Sequence, residues 1–153
     1  MNIQIVEKTL EDIDVLYITE SFALEDMGES SELFDEIFEY IVAESSAEFV
    51  GSFMLYTDIL PRRMTVEACV AVNPLPPESG RIKARRVSGG TFKMARMIHE
   101  GSYEGLADSW QALMEWIFEN NYEVADIPTR EIYLTMSEDN EDENITELLV
   151  GIK

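Results

Sequence analysis

Residues 97–136 read MIHEGSYEGLADSWQALMEWIFENNYEVADIPTREIYLTM, and this stretch decides the fold. Alternating side chains run into His99-Glu100-Gly101, where a strand is predicted to stop at a sharp glycine turn. Ser102 follows and is expected to cap a helix, because a serine hydroxyl can accept from a first-turn N–H that lacks a partner. Leu106, Trp110, Leu113 and Ile117 recur at helical spacing and share one face. Asn120-Asn121 is a left-handed stop signal. A second strand, Arg130 to Met136, puts Glu131, Tyr133 and Thr135 on one face and Ile132, Leu134 and Met136 on the other.

Working outward, the second half of the chain starts at Arg81–Val87, turns at Gly89-Gly90 and continues in a strand from Thr91 to His99. The acidic segment Ser137 to Asn144 is a loop. It lacks the glycine and the terminal glutamate spacing of a calcium loop, so no metal is expected there. Ile145 to Ile152 closes the chain as a strand.

In the first half, Ile3 and Ile5 alternate with Gln4 and Val6 in a short strand, and Val15–Ile18 form the core of a second. Residues 20–30 are acidic, contain Gly28 and read as a loop. Ser30 or Ser31 is expected to cap a helix with Leu33, Phe34, Ile37, Phe38, Ile41 and Val42 on its apolar face, ending at Ser45-Ser46. Strands are predicted at Phe49–Thr57 and Met64–Val72, joined by a turn at Pro61-Arg62-Arg63. Residues 73–80, NPLPPESG, cannot pair inside a sheet and are taken as the hinge between halves spanning about 1–73 and 81–153. Each half orders its elements as strand, helix, strand, strand. Glu39-Tyr40-Ile41 matches Glu115-Trp116-Ile117, Leu55-Tyr56-Thr57 matches Ile132-Tyr133-Leu134, and Thr65-Val66-Glu67 matches Thr146-Glu147. The order of elements argues for a duplicated βαββ unit in a single α+β domain.

The chain has 153 residues, enough for one domain with a real core. Its formal net charge is −20, with 31 acidic residues against 11 basic ones. That balance repels nucleic-acid phosphates, and the short cluster Arg81, Lys83, Arg85, Arg86 does not reverse it, so no direct nucleic-acid binding is expected. No apolar run is long enough to span a bilayer, and no secretory signal opens the chain. The single cysteine, Cys69, cannot form an internal disulfide and reads as a buried packing residue, which favours the cytoplasm.

With these residues in view, the chain resembles the GyrI-like family of small-molecule-binding domains. The resemblance is carried by His99-Glu100-Gly101-Ser102-Tyr103, the helix with Trp110 and Trp116, Arg130-Glu131-Ile132-Tyr133-Leu134, and Thr146-Glu147 before the last strand. It is good over 91–153 and weaker over 1–73. Ser102 departs from it, standing where the family is expected to carry proline. Such domains serve as effector modules of AraC-type and MerR-type regulators and as stand-alone proteins. The resemblance implies two βαββ halves with pseudo-two-fold symmetry and a ligand cleft between them. It also implies that Glu131 lies on the pocket floor.

From the residues themselves, the candidate ligand contacts are Met54, Tyr56, Glu67, Tyr103, Trp110, Met114, Glu131 and Tyr133, an aromatic set with a few carboxylates. Ionised, a partly buried Glu131 attracts a cation, whose flat or quaternary part lies on an aromatic face. Protonated, it acts as an acid. Core packing alone would also account for Trp110, and solvent exposure for Glu67. His99, the only histidine, reads as a turn residue.

Three functions compete. The first is a cytosolic protein binding hydrophobic, cationic or aromatic small molecules, without cofactor or metal. The second is a hydrolase of strained electrophiles, which the resemblance allows, with Glu131 as acid/base, Tyr133 as its partner and Trp110 stacking on substrate. The third is a protein-interaction module of the gyrase-inhibitor type, with DNA gyrase or a second copy of the chain as partner.

Overall fold

A computed structural model describes residues 2–44, 46–137 and 139–153. The protein is α+β, with antiparallel strands and two main helices. In chain order the elements are β1 (Ile3–Leu10), β2 (Ile13–Ala23), α1 (Ser31–Glu44), β3 (Glu48–Leu60), β4 (Arg63–Asn73), β5 (Lys83–Val87), β6 (Gly90–Glu100), α2 (Leu106–Glu119), β7 (Thr129–Thr135) and β8 (Ile145–Gly151). Short 3₁₀ turns occupy Leu24–Ser30, Tyr103–Gly105 and Glu141–Glu143.

Two compact units divide the chain, and their limits differ from the halves expected from the breaker. Unit 1 comprises Met1–Leu10 with Gly90–Lys153, and unit 2 comprises Glu11–Gly89. Strand order is β1-β6-β8-β7 in unit 1 and β3-β4-β2-β5 in unit 2. The reason is strand exchange. β1 pairs with β6 although only Glu11 and Asp12 separate it from β2, and β5 pairs with β2 although only Ser88 and Gly89 separate it from β6. Each βαββ repeat therefore runs from β2 to β4 or from β6 to β8. Each also borrows an edge strand from across the predicted boundary.

The repeats agree in register. Tyr56 stands opposite Val66 and Met54 opposite Ala68 in unit 2. Tyr133 stands opposite Thr146 and Glu131 opposite Leu148 in unit 1. Tyr56 thus corresponds to Tyr133, Met54 to Glu131, Val66 to Thr146 and Glu67 to Glu147. The two helices match as well. Ile37 and Ile41 of α1 are buried, as are Leu113 and Ile117 of α2. Leu113 and Ile117 pack with Ala95, Met97, Leu148, Val150 and Ile152, and Trp110 and Leu106 flank that core.

The last pair of correspondents carries a charge in each unit, buried at Glu147 and half-buried at Glu67. Glu147 is 3% exposed along its side chain and takes ion pairs from Lys8 Nζ at 3.2 Å and Arg96 Nε at 2.5 Å. Glu67 takes one from Arg85 at 3.0 Å, and Arg85 also lies over the ring of Tyr17. Arg85 and Lys8 both come from the exchanged edge strands, so each supplies a cation to a carboxylate on the third strand of its repeat. The other two arginines of the cluster Arg81, Lys83, Arg85, Arg86 are also paired. Arg81 bridges Glu20 and Glu36, and Arg86 pairs with Asp14.

Several local expectations need correction. The acidic stretch 20–30 is not an irregular loop: β2 continues to Ala23 and the rest winds into a 3₁₀ turn. Ser30 and Ser31 donate back to the carbonyls of Met27 and Gly28, so their hydroxyls serve that turn. Ser45, expected at the end of α1, lies outside the described residues. Val42 faces solvent. Asp58 leaves the face it was assigned with Tyr56, because a bulge at Thr57 shifts the register there. Asn121, by contrast, takes the left-handed conformation (φ 62°) expected of the helix stop, and Asn120 Nδ2 donates to Trp116 O.

Candidate functional site

Unit 1 gathers a polar cluster on the face of its strands that meets α2. Directly opposed residues of an antiparallel pair point to the same face. One row is therefore Glu131, Leu148, Met97, and the next is Tyr133, Thr146, His99. Leu148 and Met97 pack against Leu113 and Ile117, which fixes this as the α2 face.

Glu131 lies 3% exposed in this setting. Its Oε1 accepts from Trp110 Nε1–H at 2.7 Å, and its Oε2 accepts from the Tyr133 hydroxyl at 2.5 Å. Both donors are neutral, so the carboxylate is oriented without its charge being cancelled by them. Tyr103 packs its ring edge-on to Tyr133, with centroids 5.7 Å apart. Burial pushes the Tyr103 phenol pKa above its ordinary value, and the negative charge of Glu131 adds to the rise.

The approach to α2 is built around His99. Gly101 takes a φ of 114°, a backbone conformation suited to glycine, and its N–H donates to Asn144 O. The predicted cap at Ser102 does not form. A 3₁₀ turn intervenes, Gly105 stands at the N-cap of α2, and the Ser102 side chain makes no capping bond. The Ser102 carbonyl instead accepts from His99 Nε2 at 2.8 Å, while His99 Nδ1 lies 2.7 Å from Ser109 Oγ. A carbonyl oxygen only accepts, so Nε2 is the donor there, and the Ser109 hydroxyl completes the second bond at Nδ1. A Cβ on Gly105 would come within 3.0 Å of His99 Cε1, so the turn closes tightly over the ring. His99 was expected to be a plain turn residue. It is buried and ties the Tyr103 turn to α2. The serine-histidine spacing that reveals this was present in the sequence, but neither residue type is specific for it.

The structure thus brings Glu131, Tyr133, Trp110 and Tyr103 together. Met114 sits on α2 and is 41% exposed, off the face that carries Leu113 and Ile117. Of the candidates on unit 2, Met54 is buried and Tyr56 half-buried on β3, and Glu67 is occupied by Arg85. Thr146 was missed as a candidate. It is 0% exposed, and its Oγ1 has no hydrogen-bond partner among the described residues.

A buried carboxylate framed by aromatic N–H and O–H donors thus sits on an α+β fold of two βαββ repeats. The chain belongs to the GyrI-like family, described as a GyrI-like small molecule binding domain, whose model matches residues 1–153. No curated protein matches the chain by sequence. Among solved structures it is similar to the EcmrR C-terminal domain, with a TM-score of 0.79 and 23% identity over 100% of this chain and 99% of that one. EcmrR also appears in an EcmrR–DNA complex, where the match has a TM-score of 0.78 and 23% identity; there 99% of this chain spans 57% of the EcmrR chain. SAV2435 bound to tetraphenylphosphonium matches with a TM-score of 0.68 and 12% identity, covering 98% of this chain and 94% of that one. A hydrolase from Listeria innocua matches with a TM-score of 0.57 and 9% identity, covering 98% and 92%. At these identities the neighbours establish the fold. Among the described residues, no helix is long and apolar enough to cross a membrane.

Proposed function

We propose that this small-molecule-binding domain takes hydrophobic cations at the Glu131 cluster of unit 1. The observation that carries the reading is a carboxylate 3% exposed and held by two neutral aromatic donors. Taking an ionised carboxylate out of water costs several kcal/mol, on the order of the desolvation penalty of a buried ion. The fold itself does not require it, since the corresponding position of the other repeat is Met54. A ligand cation places an opposite charge beside the carboxylate, and the rings of Trp110, Tyr133 and Tyr103 supply faces for its apolar part. The net charge of −20 attracts cations towards the surface, within a screening length of about 8 Å. The same charge supports a small molecule, not nucleic acid, as the direct partner. Tetraphenylphosphonium, to which the structurally similar SAV2435 is bound, is a cation of this class.

Titrating tetraphenylphosphonium while following tryptophan fluorescence tests the reading. Quenching that saturates, with at least tenfold weaker binding by Glu131→Gln, is the expected result. Equal affinity of the two proteins, or no response to a varied panel of lipophilic cations, overturns it.

The Tyr133 hydroxyl bonded to Glu131 favours one further reading, hydrolysis of a strained electrophile, with Glu131 moving a proton through Tyr133 while Trp110 stacks on the substrate. Incubation with cyclopropane and epoxide probes decides it. Turnover must appear in the wild type and be lost in Glu131→Gln.

A further inference from the structure

The two repeats serve as controls for each other, and one comparison exposes a group that packing does not explain. Val66 and Thr146 occupy corresponding positions, each opposite a tyrosine, and both are 0% exposed. Valine and threonine have nearly the same shape, so unit 2 demonstrates that an apolar side chain fills this place. Unit 1 instead buries a hydroxyl whose Oγ1 has no partner among the described residues. Leaving such a group unsatisfied is unfavourable, and each instance calls for an explanation. Its neighbours in the row are committed elsewhere. Tyr133 donates to Glu131, and both nitrogens of His99 are engaged by Ser109 and Ser102. The hydroxyl also lies one row from Glu131, on the same face, and Glu131 in turn replaces Met54 of the other repeat. The two polar replacements therefore sit side by side.

We propose that Thr146 is a second polar contact for the ligand bound at Glu131, selecting cations that carry a neutral hydroxyl or carbonyl beside an aromatic ring. The inference rests on the binding reading above. The proposed route of the ligand runs past Tyr103, which is 41% exposed, lies edge-on to Tyr133 and sits between Gly101 and Gly105 on its 3₁₀ turn. When that ring is displaced by a ligand's own ring, the row behind it opens and the hydroxyl gains a partner.

The test compares 4-(hydroxymethyl)phenyl-triphenylphosphonium with its 4-ethylphenyl counterpart, which differs only by a methyl in place of the hydroxyl. Wild type, Thr146→Val and Glu131→Gln are titrated with both, and thermal unfolding of the unliganded proteins is recorded. The ratio of affinities, hydroxymethyl over ethyl, is expected to fall about fivefold in Thr146→Val, while the ethyl probe binds both proteins alike. The unliganded Thr146→Val protein is expected to melt about 2–4 °C higher, because an unsatisfied hydroxyl has been removed. An unchanged ratio, or a lowered melting temperature, overturns the proposal. If the probes bind in a Glu131-dependent way and only the ratio is unchanged, the Thr146 contact alone falls. If neither probe binds wild type, or Glu131→Gln binds both as well, the binding reading falls and takes this one with it.

Discussion

The indole N–H of Trp110 donates to Oε1 of Glu131 at 2.7 Å, joining the middle of α2 to the strand that follows it. This bond turns a residue on the core stripe of a helix into the frame of a buried acid. Replacing Trp110 with phenylalanine keeps most of the apolar bulk but leaves the acid one donor short. The expected cost is about 1–3 kcal/mol of unfolding free energy, measured by urea titration. Wild-type stability in that variant would show that the bond contributes nothing.

The Tyr103 phenol reports the charge on Glu131. Its pKa is raised first by burial and then by that charge. In Glu131→Gln the second cause disappears, so the phenol should titrate at lower pH, towards its ordinary value of 10.0. The signal is the tyrosinate absorbance band, with Tyr103→Phe run alongside to identify the transition. An unshifted curve would mean that Glu131 carries no charge near Tyr103.

The same shift sets a stability slope in alkali. A group whose pKa is raised on folding contributes fully below its unfolded value and loses that contribution as pH climbs through the folded one. Denaturant midpoints of wild type are therefore expected to fall more steeply above about pH 10 than those of Tyr103→Phe. Parallel curves would exclude a contribution from this phenol.

On the acid side the surface pairs act in the opposite sense. Arg81 lowers the pKa of Glu36 and Arg86 lowers that of Asp14. Their contributions are present above the ordinary carboxylate range and vanish as pH falls through the lowered folded values. Both acids are solvent-exposed, so Arg81→Ala is expected to change stability at neutral pH by no more than about 1 kcal/mol.

Glu147 is the contrasting case. Lys8 and Arg96 converge on it while it is nearly inaccessible, so Glu147→Ala strands two cations. The loss is expected to be on the order of 3 kcal/mol, well beyond that of Arg81→Ala. Comparable losses in the two variants would contradict the different burial of the two clusters.

Much of this protein was legible in one dimension. The 3.6-residue recurrence of Leu106, Trp110, Leu113 and Ile117 marked α2, the alternation of Glu131 and Tyr133 with Ile132 marked a polar face on β7, and Asn121 marked the helix end. These are local signals, governed by backbone geometry over a few residues. The match of Tyr56 to Tyr133 and of Glu67 to Glu147 was also readable, because duplication leaves side chains in the same order.

Partner choice between distant segments was not readable. Nothing local tells β1 to pair with β6 instead of the β2 that follows it, since strand pairing is settled by which apolar faces can be buried together. The fate of Glu67 followed from that exchange, because Arg85 reaches it only once β5 joins the sheet of β2. The capping role expected of Ser102 failed for a related reason: His99 takes the Ser102 carbonyl into a contact that exists only when the turn folds back over β6. The sequence alone determined the periodicities, the repeat, the charge and the presence of an acid beside aromatic side chains. Only the tertiary structure decided that this acid is buried and framed by Trp110 and Tyr133, and that the hydroxyl of Thr146 is buried in the next row with no hydrogen-bond partner among the described residues. Hydrogen-bond partners and burial depend on distances through space that the order of residues does not encode.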